Sequence, residues 1–308
     1  MNAEFETMID TTDEWIVSRT GIRERRYLET GTDNSDMCVA ACRNALDMAG
    51  CAPEEVDLII VGTVTPDYLL PSVACLVQEK MGLTGAVGFD NVAACTGFIN
   101  GLSIGNAFVQ SGKYKKVLVA GSEHLTSITN FKDRGTCVLF GDAAGAVLLE
   151  PSTDDAGILA THMKSDGRMR ELLWIPIGGS KNPRTSEYAY DGSDKIYMNG
   201  SEVFKVAVRE MGRAAEIVVK EAGLDYSDIS LLIPHQANIR IIEAMAKRMH
   251  LSMDKVVLNI ANYGNTSSAS VPLALDEANR SGRLKPGDNI VMVAFGGGLI
   301  WGAAAVRW

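Results

Sequence analysis

Short apolar segments alternate with helix patterns along almost the whole chain, and this alternation limits the possible folds more than any other feature. Segments with the length and composition of a buried strand lie at 56–61, 116–120 and 144–149. Helix patterns lie at 36–48, where Ser35 is the expected cap and Gly50 the stop, and at 71–81, before Gly82. Elements that alternate in this way predict an α/β fold with a mostly parallel sheet.

The second half of the chain repeats this order of elements. Its strand patterns lie at 157–160, 231–234, 256–259 and 289–294. Its helix patterns lie at 201–222, with Ser201 as the expected cap, 238–249 and 271–280. A Ser-Gly-basic turn precedes a strand pattern in both halves, at 111–113 and at 281–283. We infer an internal duplication, with one half at 1–152 and the other at 153–308.

The composition fits a globular protein with two packed halves. The 308 residues are 46% hydrophobic, but no apolar stretch is long enough for a membrane helix, and the first residues do not form a signal peptide. Six cysteines without a CxxC pair indicate a reduced, cytoplasmic setting. Cys38 and Cys42, four residues apart on a helix pattern, fit core packing better than a metal site. The net charge of −9 argues against nucleic acid or an anionic membrane as the main partner.

Cys95 lies where a short apolar segment changes into a helix pattern. A cysteine at such a junction faces the first unpaired amides of the helix, and these amides and the helix dipole favour the thiolate. Because the thiolate is the nucleophilic form, this placement suits covalent acyl chemistry. An ordinary buried structural cysteine is the alternative that position alone leaves open.

Two further polar residues occupy comparable junctions in the second half. His235 follows the strand pattern at 231–234, and Asn265 lies between a strand pattern and a helix pattern. Each could be a simple loop or turn residue, but ligand-binding groups of α/β sheets cluster at this edge, so together with Cys95 they predict one site. The glycines at 296–298 would let the backbone approach a ligand closely, or they form a hairpin.

Six motifs carry a resemblance to a known family. They are Asp-Glu-Trp-Ile-Val-Ser-Arg-Thr-Gly-Ile-Arg-Glu-Arg at 13–25, Ala-Ala-Cys-Thr-Gly-Phe at 93–98, Asp-Arg-Gly-Thr at 133–136, Pro-His-Gln-Ala-Asn at 234–238, Tyr-Gly-Asn-Thr-Ser at 263–267 and Phe-Gly-Gly-Gly-Leu-Ile-Trp-Gly at 295–302. In this order the chain resembles the β-ketoacyl-acyl-carrier-protein synthase III family of thiolase-superfamily condensing enzymes. The resemblance implies two thiolase-like halves in a layered α-β-α-β-α architecture, and a homodimer.

The resemblance also implies a reaction. Cys95 would be acylated by an acyl-CoA, and the backbone amides of Cys95 and Gly297 would form the oxyanion hole. His235 and Asn265 would then stabilise the enolate that forms when malonyl-acyl-carrier protein loses carbon dioxide, and this carbanion would attack the acyl group. Acyl-CoA and malonyl-acyl-carrier protein are the implied substrates, and neither a cofactor nor a metal is expected.

Further residues receive binding roles from the resemblance. Trp15 and Arg134 would hold the CoA adenine, Arg19 would lie near the pyrophosphate, Gly200 and Phe204 would line the pantetheine tunnel, and Leu70 would cap the acyl pocket of the other subunit. Many relatives carry an aromatic residue at the Leu70 position, so the primer stays open. Lys205, Arg209 and Arg213 share a helix face, and we expect Lys205 and Arg240 to dock the acidic carrier protein. A solvated helix face is the alternative.

Three rival functions stay open at this point. A synthase of a specialised metabolite would use the same three residues, a thioester hydrolase would use water in place of the malonyl unit, and an inactive paralogue would act as a partner subunit. Family members begin with a strand that the first residues of this chain lack. We expect that strand in the middle of the first sheet, and therefore expect the sequence to begin inside a longer reading frame or to be a fragment.

Overall fold

The computed structural model describes residues 1–184 and 192–308. Its helices are α1 (Asn2–Glu6), α2 (Asp13–Thr20), α3 (Asn34–Ala49), α4 (Val73–Met81), α5 (Gly97–Gln110), α6 (Gly200–Glu221), α7 (Ile239–Arg248), α8 (Ile260–Tyr263) and α9 (Ser270–Arg280). Its strands are β1 (Leu58–Gly62), β2 (Val87–Asn91), β3 (Val117–Glu123), β4 (Ala143–Leu149), β5 (Gly157–Ser165), β6 (Leu173–Trp174), β7 (Tyr197–Met198), β8 (Ile229–Pro234), β9 (Asn289–Gly296) and β10 (Ile300–Arg307). Within these residues, no helix has the length and apolar character needed to cross a membrane.

Each half of the chain contributes one four-stranded sheet. The first has the order β2-β1-β3-β4 and the second the order β5-β10-β9-β8. β1 pairs in parallel with β2 and β3, and β8 with β9, but β4 and β10 run antiparallel to their neighbours. The expectation of a mostly parallel sheet is therefore wrong. β9 and β10 are joined by a tight turn, and a tight turn can only connect antiparallel strands.

Helices and sheets stack in five layers. α3 and α4 cover the outer face of the first sheet, and α6 packs on the second sheet with α7 beside it. α5 contacts strands of both sheets from between them, and so does α9. The predicted α-β-α-β-α architecture is confirmed. The predicted boundary at 152 falls between β4 and β5, and it stays a prediction because one apolar core includes residues of both halves.

Three local predictions were wrong. Asp33 precedes α3 and takes the capping role predicted for Ser35, and the side chain of Asn199 caps α6 in place of Ser201. The segment at 256–259 is no regular strand, since only Val256 forms a bridge to β8. The carbonyl of Val256 instead accepts a hydrogen bond from the guanidinium of Arg283, at 3.2 Å, so a side chain replaces the next backbone partner.

The first sheet has no gap at its centre. Each of its four strands is hydrogen bonded to the next, so the expected vacancy in the middle of this sheet is wrong. In the second half, the first strand is β5, and it lies at the edge of the sheet beside β10. The equivalent place in the first half is the outer edge of β4, which pairs only with β3 among the described strands.

The two halves pack closely together at Gly121 of β3. A Cβ atom at this position would lie 2.2 Å from the backbone oxygen of Ser268. We expect Gly121→Ala to lower the free energy of unfolding by about 3 kcal/mol or more, because backbone atoms on both sides must shift. Urea unfolding measures this change. Gly85→Ala is the control, since nothing lies within 4 Å of its Cβ position, and equal stability of the two variants would contradict the prediction.

Candidate active site

One large cavity brings together the residues that the motifs single out. Its volume is about 1020 Å³, and Cys95, His235 and Asn265 all lie on its wall. Cys95 lies in the turn between β2 and α5, His235 follows β8, and Asn265 follows α8. The other predicted site residues on this wall are Trp15, Arg19, Arg134, Gly200, Phe204, Lys205, Arg240 and Gly297. Leu70 is not part of this wall and is 86% exposed.

The backbone around Cys95 is fixed by the end of β9. Ala94 has a left-handed φ of 44°, and a short 3-10 turn at Ala94–Thr96 leads directly into α5. Gly296 packs so tightly against this turn that a Cβ atom would lie 2.6 Å from the Cys95 nitrogen. Gly296 must therefore lack a side chain, and the next residue, Gly297, is carried to the cavity wall beside Cys95.

The Cys95 side chain is a thiol at neutral pH. Burial raises its pKa to about 12, while the hydroxyl of Ser267 acts in the opposite direction and the carboxylate of Glu123 adds to the increase. Removal from water therefore opposes the thiolate that the helix junction is expected to favour. The thiol must therefore lose its proton during any acyl transfer.

His235 is held as a neutral imidazole. Its backbone N–H donates to the carbonyl of Val293 at 2.8 Å, and only 1% of the residue is exposed. Burial lowers its pKa to about 4. Nδ1 has no hydrogen-bond partner in the described part of the chain. Since an unpaired buried acceptor costs less than an unpaired donor, the lone pair belongs on Nδ1 and the N–H on Nε2.

The pKa of His235 predicts a loss of stability in acid. The imidazole has a pKa of 6.5 in the unfolded chain and about 4 in the folded protein. At a pH between these two values, the unfolded chain binds a proton that the folded protein does not. Stability that is complete above the unfolded pKa is therefore lost as the pH falls through the folded pKa, by about 3 kcal/mol. Urea unfolding between about pH 7 and about pH 3.5 measures the loss. His235→Gln should lack this component, and equal losses in both proteins would contradict it.

Asn265 is oriented by its neighbours. Its backbone N–H donates to the carbonyl of Leu139 at 2.8 Å, and its backbone carbonyl accepts the N–H of Gly141 at 3.0 Å. Its side-chain oxygen accepts the backbone N–H of Ser267 at 2.9 Å. Because the oxygen is held in this way, the side-chain NH₂ group is the part of Asn265 that can donate to a ligand.

Trp15 and two arginines form a stack on the cavity wall. The guanidinium carbon of Arg134 lies 5.0 Å from the centre of the Trp15 ring, and that of Arg19 lies 5.8 Å from it. Arg134 also donates to the carbonyl of Asp10 at 2.9 Å. A flat ring between Trp15 and Arg134 would need about 7 Å, two layers of van der Waals contact. Arg134 must therefore move outward before a purine can enter between them.

Lys205, Arg209 and Arg213 form a basic stripe on α6, and all three are paired with acidic residues. Lys205 contacts Glu202 at 2.7 Å, and both Arg209 and Arg213 lie within 4 Å of Glu210. These contacts reduce the positive charge that the sequence pattern suggests. Arg240 lies instead over the ring of Phe204, at 5.9 Å, where the helix carrying it meets the cavity.

Glu123 and Ser267 were missed by the sequence analysis. Glu123 is fully buried at the end of β3, and its carboxylate accepts hydrogen bonds from Thr65 at 2.6 Å and Ser267 at 3.0 Å. Ser267 lines the cavity and has a left-handed φ of 49°. The signal for Glu123 was a carboxylate three residues after the strand pattern at 116–120. Its partner lies 144 residues away in the chain, and sequence alone could not supply it.

Family models match both halves of the chain. The model described as 3-oxoacyl-[acyl-carrier-protein] synthase III matches 89–167, and the model of the C-terminal part of the same proteins matches 219–308. The beta-ketoacyl-[acyl-carrier-protein] synthase III of Desulfitobacterium hafniense (strain DSM 10664 / DCB-2) is 51% identical over 307 residues, which cover 100% of this chain and 93% of the relative. The enzyme of the same name from Clostridioides difficile (strain 630) is 48% identical with the same coverage.

Solved structures agree with these matches. The 3-oxoacyl-[acyl-carrier-protein] synthase III of Aquifex aeolicus VF5 has a TM-score of 0.93 and 46% identity, covering 100% of this chain and 94% of that one. A priming beta-ketosynthase from the R1128 polyketide biosynthetic pathway has a TM-score of 0.92 and 38% identity, covering 99% and 91%. The second similarity shows that the same fold also serves a specialised pathway.

Proposed function

The chain belongs to the β-ketoacyl-[acyl-carrier-protein] synthase III family, and we propose that Cys95, His235 and Asn265 perform its condensation. It is an acyl-transferring condensing enzyme that initiates fatty-acid biosynthesis. The observation that carries the assignment of residues is their common cavity, which gathers a thiol, a neutral imidazole and an oriented amide at one wall.

The first half-reaction acylates Cys95. Its sulfur attacks the thioester carbon of an acyl-CoA, and the carbonyl oxygen becomes an oxyanion. The backbone N–H groups of Cys95 and Gly297 are the proposed donors to this oxyanion, supported by the tight contact of the preceding Gly296 with the Cys95 nitrogen. CoA then leaves as a thiol, and the acyl group stays on Cys95.

The second half-reaction joins two carbons. The Nε2–H of His235 and the NH₂ group of Asn265 donate to the thioester oxygen of malonyl-acyl-carrier protein and stabilise the enolate as carbon dioxide leaves. A neutral imidazole suits this role, because it donates a hydrogen bond without protonating the carbanion. The carbanion attacks the acyl carbon, and Cys95 leaves as a thiolate that takes a proton from water. Activated thioesters supply the driving force, so the chemistry needs neither a metal nor an organic cofactor.

We propose that the substrates enter past Trp15 on the cavity wall. We assign Trp15 and Arg134 to the CoA adenine, Arg19 to its pyrophosphate, and Gly200 and Phe204 to the pantetheine arm, supported by their places on one wall. Arg240 is the better supported of the two proposed docking residues for acyl-carrier protein, because Lys205 already contacts Glu202.

We further propose a cytoplasmic homodimer in which Leu70 reaches the acyl pocket of the second subunit. The support is exposed apolar surface, since Leu69 and Leu70 are 95% and 86% exposed. Val87, at the start of the edge strand β2, and Val92, directly after its end, are also exposed. Leu70 has no place on the cavity of its own chain, which is consistent with a role across a subunit interface.

Intact-mass spectrometry tests the proposed function directly. The protein is mixed with a panel of acyl-CoAs, and malonyl-acyl-carrier protein is then added. We expect one acyl adduct, discharged as a 3-oxoacyl product with release of carbon dioxide. Loss of the acyl group to water without carbon dioxide would indicate a hydrolase, and a folded protein without any adduct would indicate an inactive paralogue. The acyl group that reacts fastest identifies the primer.

A further inference from the structure

Arg25 is a buried cation that none of the steps described so far uses. Only 6% of the residue is exposed, and burial lowers the pKa of its guanidinium to about 10, so the group is charged at neutral pH. The guanidinium carbon lies 4.7 Å from the centre of the Phe5 ring, and Nη1 donates to the side-chain oxygen of Asn2. A buried charge is costly unless it is paired with suitable acceptors, so the acceptors of Arg25 indicate its role.

The backbone carbonyl of Val138 accepts two hydrogen bonds from Arg25. Nε donates to this oxygen at 3.0 Å, and Nη2 donates to the same oxygen. Val138 is itself buried, so its carbonyl would lose two charged donors without Arg25 and would gain little contact with water in return. Arg25 therefore fixes the segment 138–141 at its first residue.

The same segment holds the backbone of Asn265. The N–H of Asn265 donates to the carbonyl of Leu139 at 2.8 Å, and the N–H of Gly141 donates to the carbonyl of Asn265 at 3.0 Å. The aliphatic part of Arg25 packs beside both strands of this contact. A Cβ atom at Gly141 would lie 3.2 Å from the Arg25 Cβ, and one at Gly264 would lie 3.1 Å from the Arg25 Cγ. Arg25 thus contacts the segment and also the residue before Asn265.

We propose that Arg25 is a positioning residue for the condensation step, because it fixes the segment 138–141 that in turn holds Asn265. This role rests on the proposed function of Asn265 in stabilising the malonyl enolate. Val138, Leu139 and Asn265 lie on the cavity wall but Arg25 does not, so Arg25 acts through other residues. A displacement of about 1 Å in a group that binds the reacting atoms is enough to slow a reaction by about 10²-fold.

The turn that carries Cys95 is held by a different element. Gly296, at the end of β9, packs directly against the Cys95 nitrogen. The contacts of Arg25 to Val138, Gly141 and Gly264 do not include this turn. A change at Arg25 should therefore slow the condensation step, which uses Asn265, much more than the acylation of Cys95.

Single-turnover kinetics of the two half-reactions test this role. Arg25→Met keeps the aliphatic part of the side chain but removes every donor. We expect it to slow condensation roughly 30-fold at saturating malonyl-acyl-carrier protein and to change acylation by about 3-fold or less at saturating acyl-CoA. Arg25→Lys keeps one charged donor and should recover part of the condensation rate. Arg23→Met is the matched control, because Arg23 is exposed, and both of its rates should equal those of the wild type.

A double-mutant cycle with Asn265→Ala separates positioning from a general structural role. Asn265→Ala alone should slow condensation by about 10²–10³-fold. Adding Arg25→Met should then cost about 2-fold or less, because the amide that Arg25 positions is gone. If Arg25→Met does not fold, Arg25→Lys carries the same cycle. Normal condensation in a folded Arg25 variant, additive losses, or equal losses of acylation and condensation overturn the role of Arg25 alone. Normal condensation in Asn265→Ala overturns the proposed function of Asn265 as well.

Discussion

Cys95→Ala is expected to form no acyl adduct with any acyl-CoA and to lose about 10⁴-fold or more of its condensation rate. Cys95 is the only nucleophilic thiol on the cavity wall among the described residues, and no neighbouring side chain on that wall can form the same thioester. The substitution removes one sulfur atom from a buried site, so the fold should survive it. Intact mass measures the adduct, and carbon dioxide release measures condensation.

Cys75→Ala is the control for Cys95→Ala. Cys75 is half-buried on α4, hydrogen bonds to the Gly88 carbonyl and lies away from the cavity. Its removal should leave both the adduct and the condensation rate unchanged. An adduct on Cys95→Ala, or its loss in Cys75→Ala alone, would place the nucleophile elsewhere and contradict the assignment.

The sequence predicted strands well where the strand is buried along its whole length. β1 and β3 are buried at every residue, and both strand patterns were recognised without any knowledge of their partners. The segment at 256–259 has the same local pattern, but Arg283 occupies a carbonyl that a regular strand would pair. That contact depends on the packing of distant segments, so a local pattern could not exclude it.

The ionisation states of the site residues were harder to predict than the identity of these residues. Their places at junctions between elements identified Cys95 and His235, which follow β2 and β8, and also Asn265, although the strand expected before Asn265 is absent and α8 precedes it. Their ionisation could not be inferred in this way. The pKa of Cys95 rises to about 12 and that of His235 falls to about 4 because both are buried, and burial depends on the second sheet closing over the first. The link between Glu123 and Ser267 likewise requires both halves.

The positive charge predicted for the basic stripe on α6 was too high for a different reason. Its pairing partners, Glu202 and Glu210, were visible within one turn of Lys205 and Arg213. Acidic residues three positions away on a helix reduce the positive charge of such a face, whatever the tertiary structure. A charge pattern therefore has to be evaluated with its neighbours of opposite sign before it supports a docking surface.

Asn265→Asp should separate the two half-reactions. The new carboxylate keeps an oxygen that accepts the Ser267 N–H, so Cys95 and Ser267 keep their positions and acylation by acyl-CoA should change by about 3-fold or less. The NH₂ donor is lost, and a negative charge faces the developing enolate, so condensation with malonyl-acyl-carrier protein should fall by about 10²–10³-fold. Asn262→Asp, the same charge change on an exposed residue of α8, should leave both rates unaltered. Equal loss of acylation and condensation in Asn265→Asp would mean that Asn265 supports the fold of the site and has no separate part in the decarboxylation.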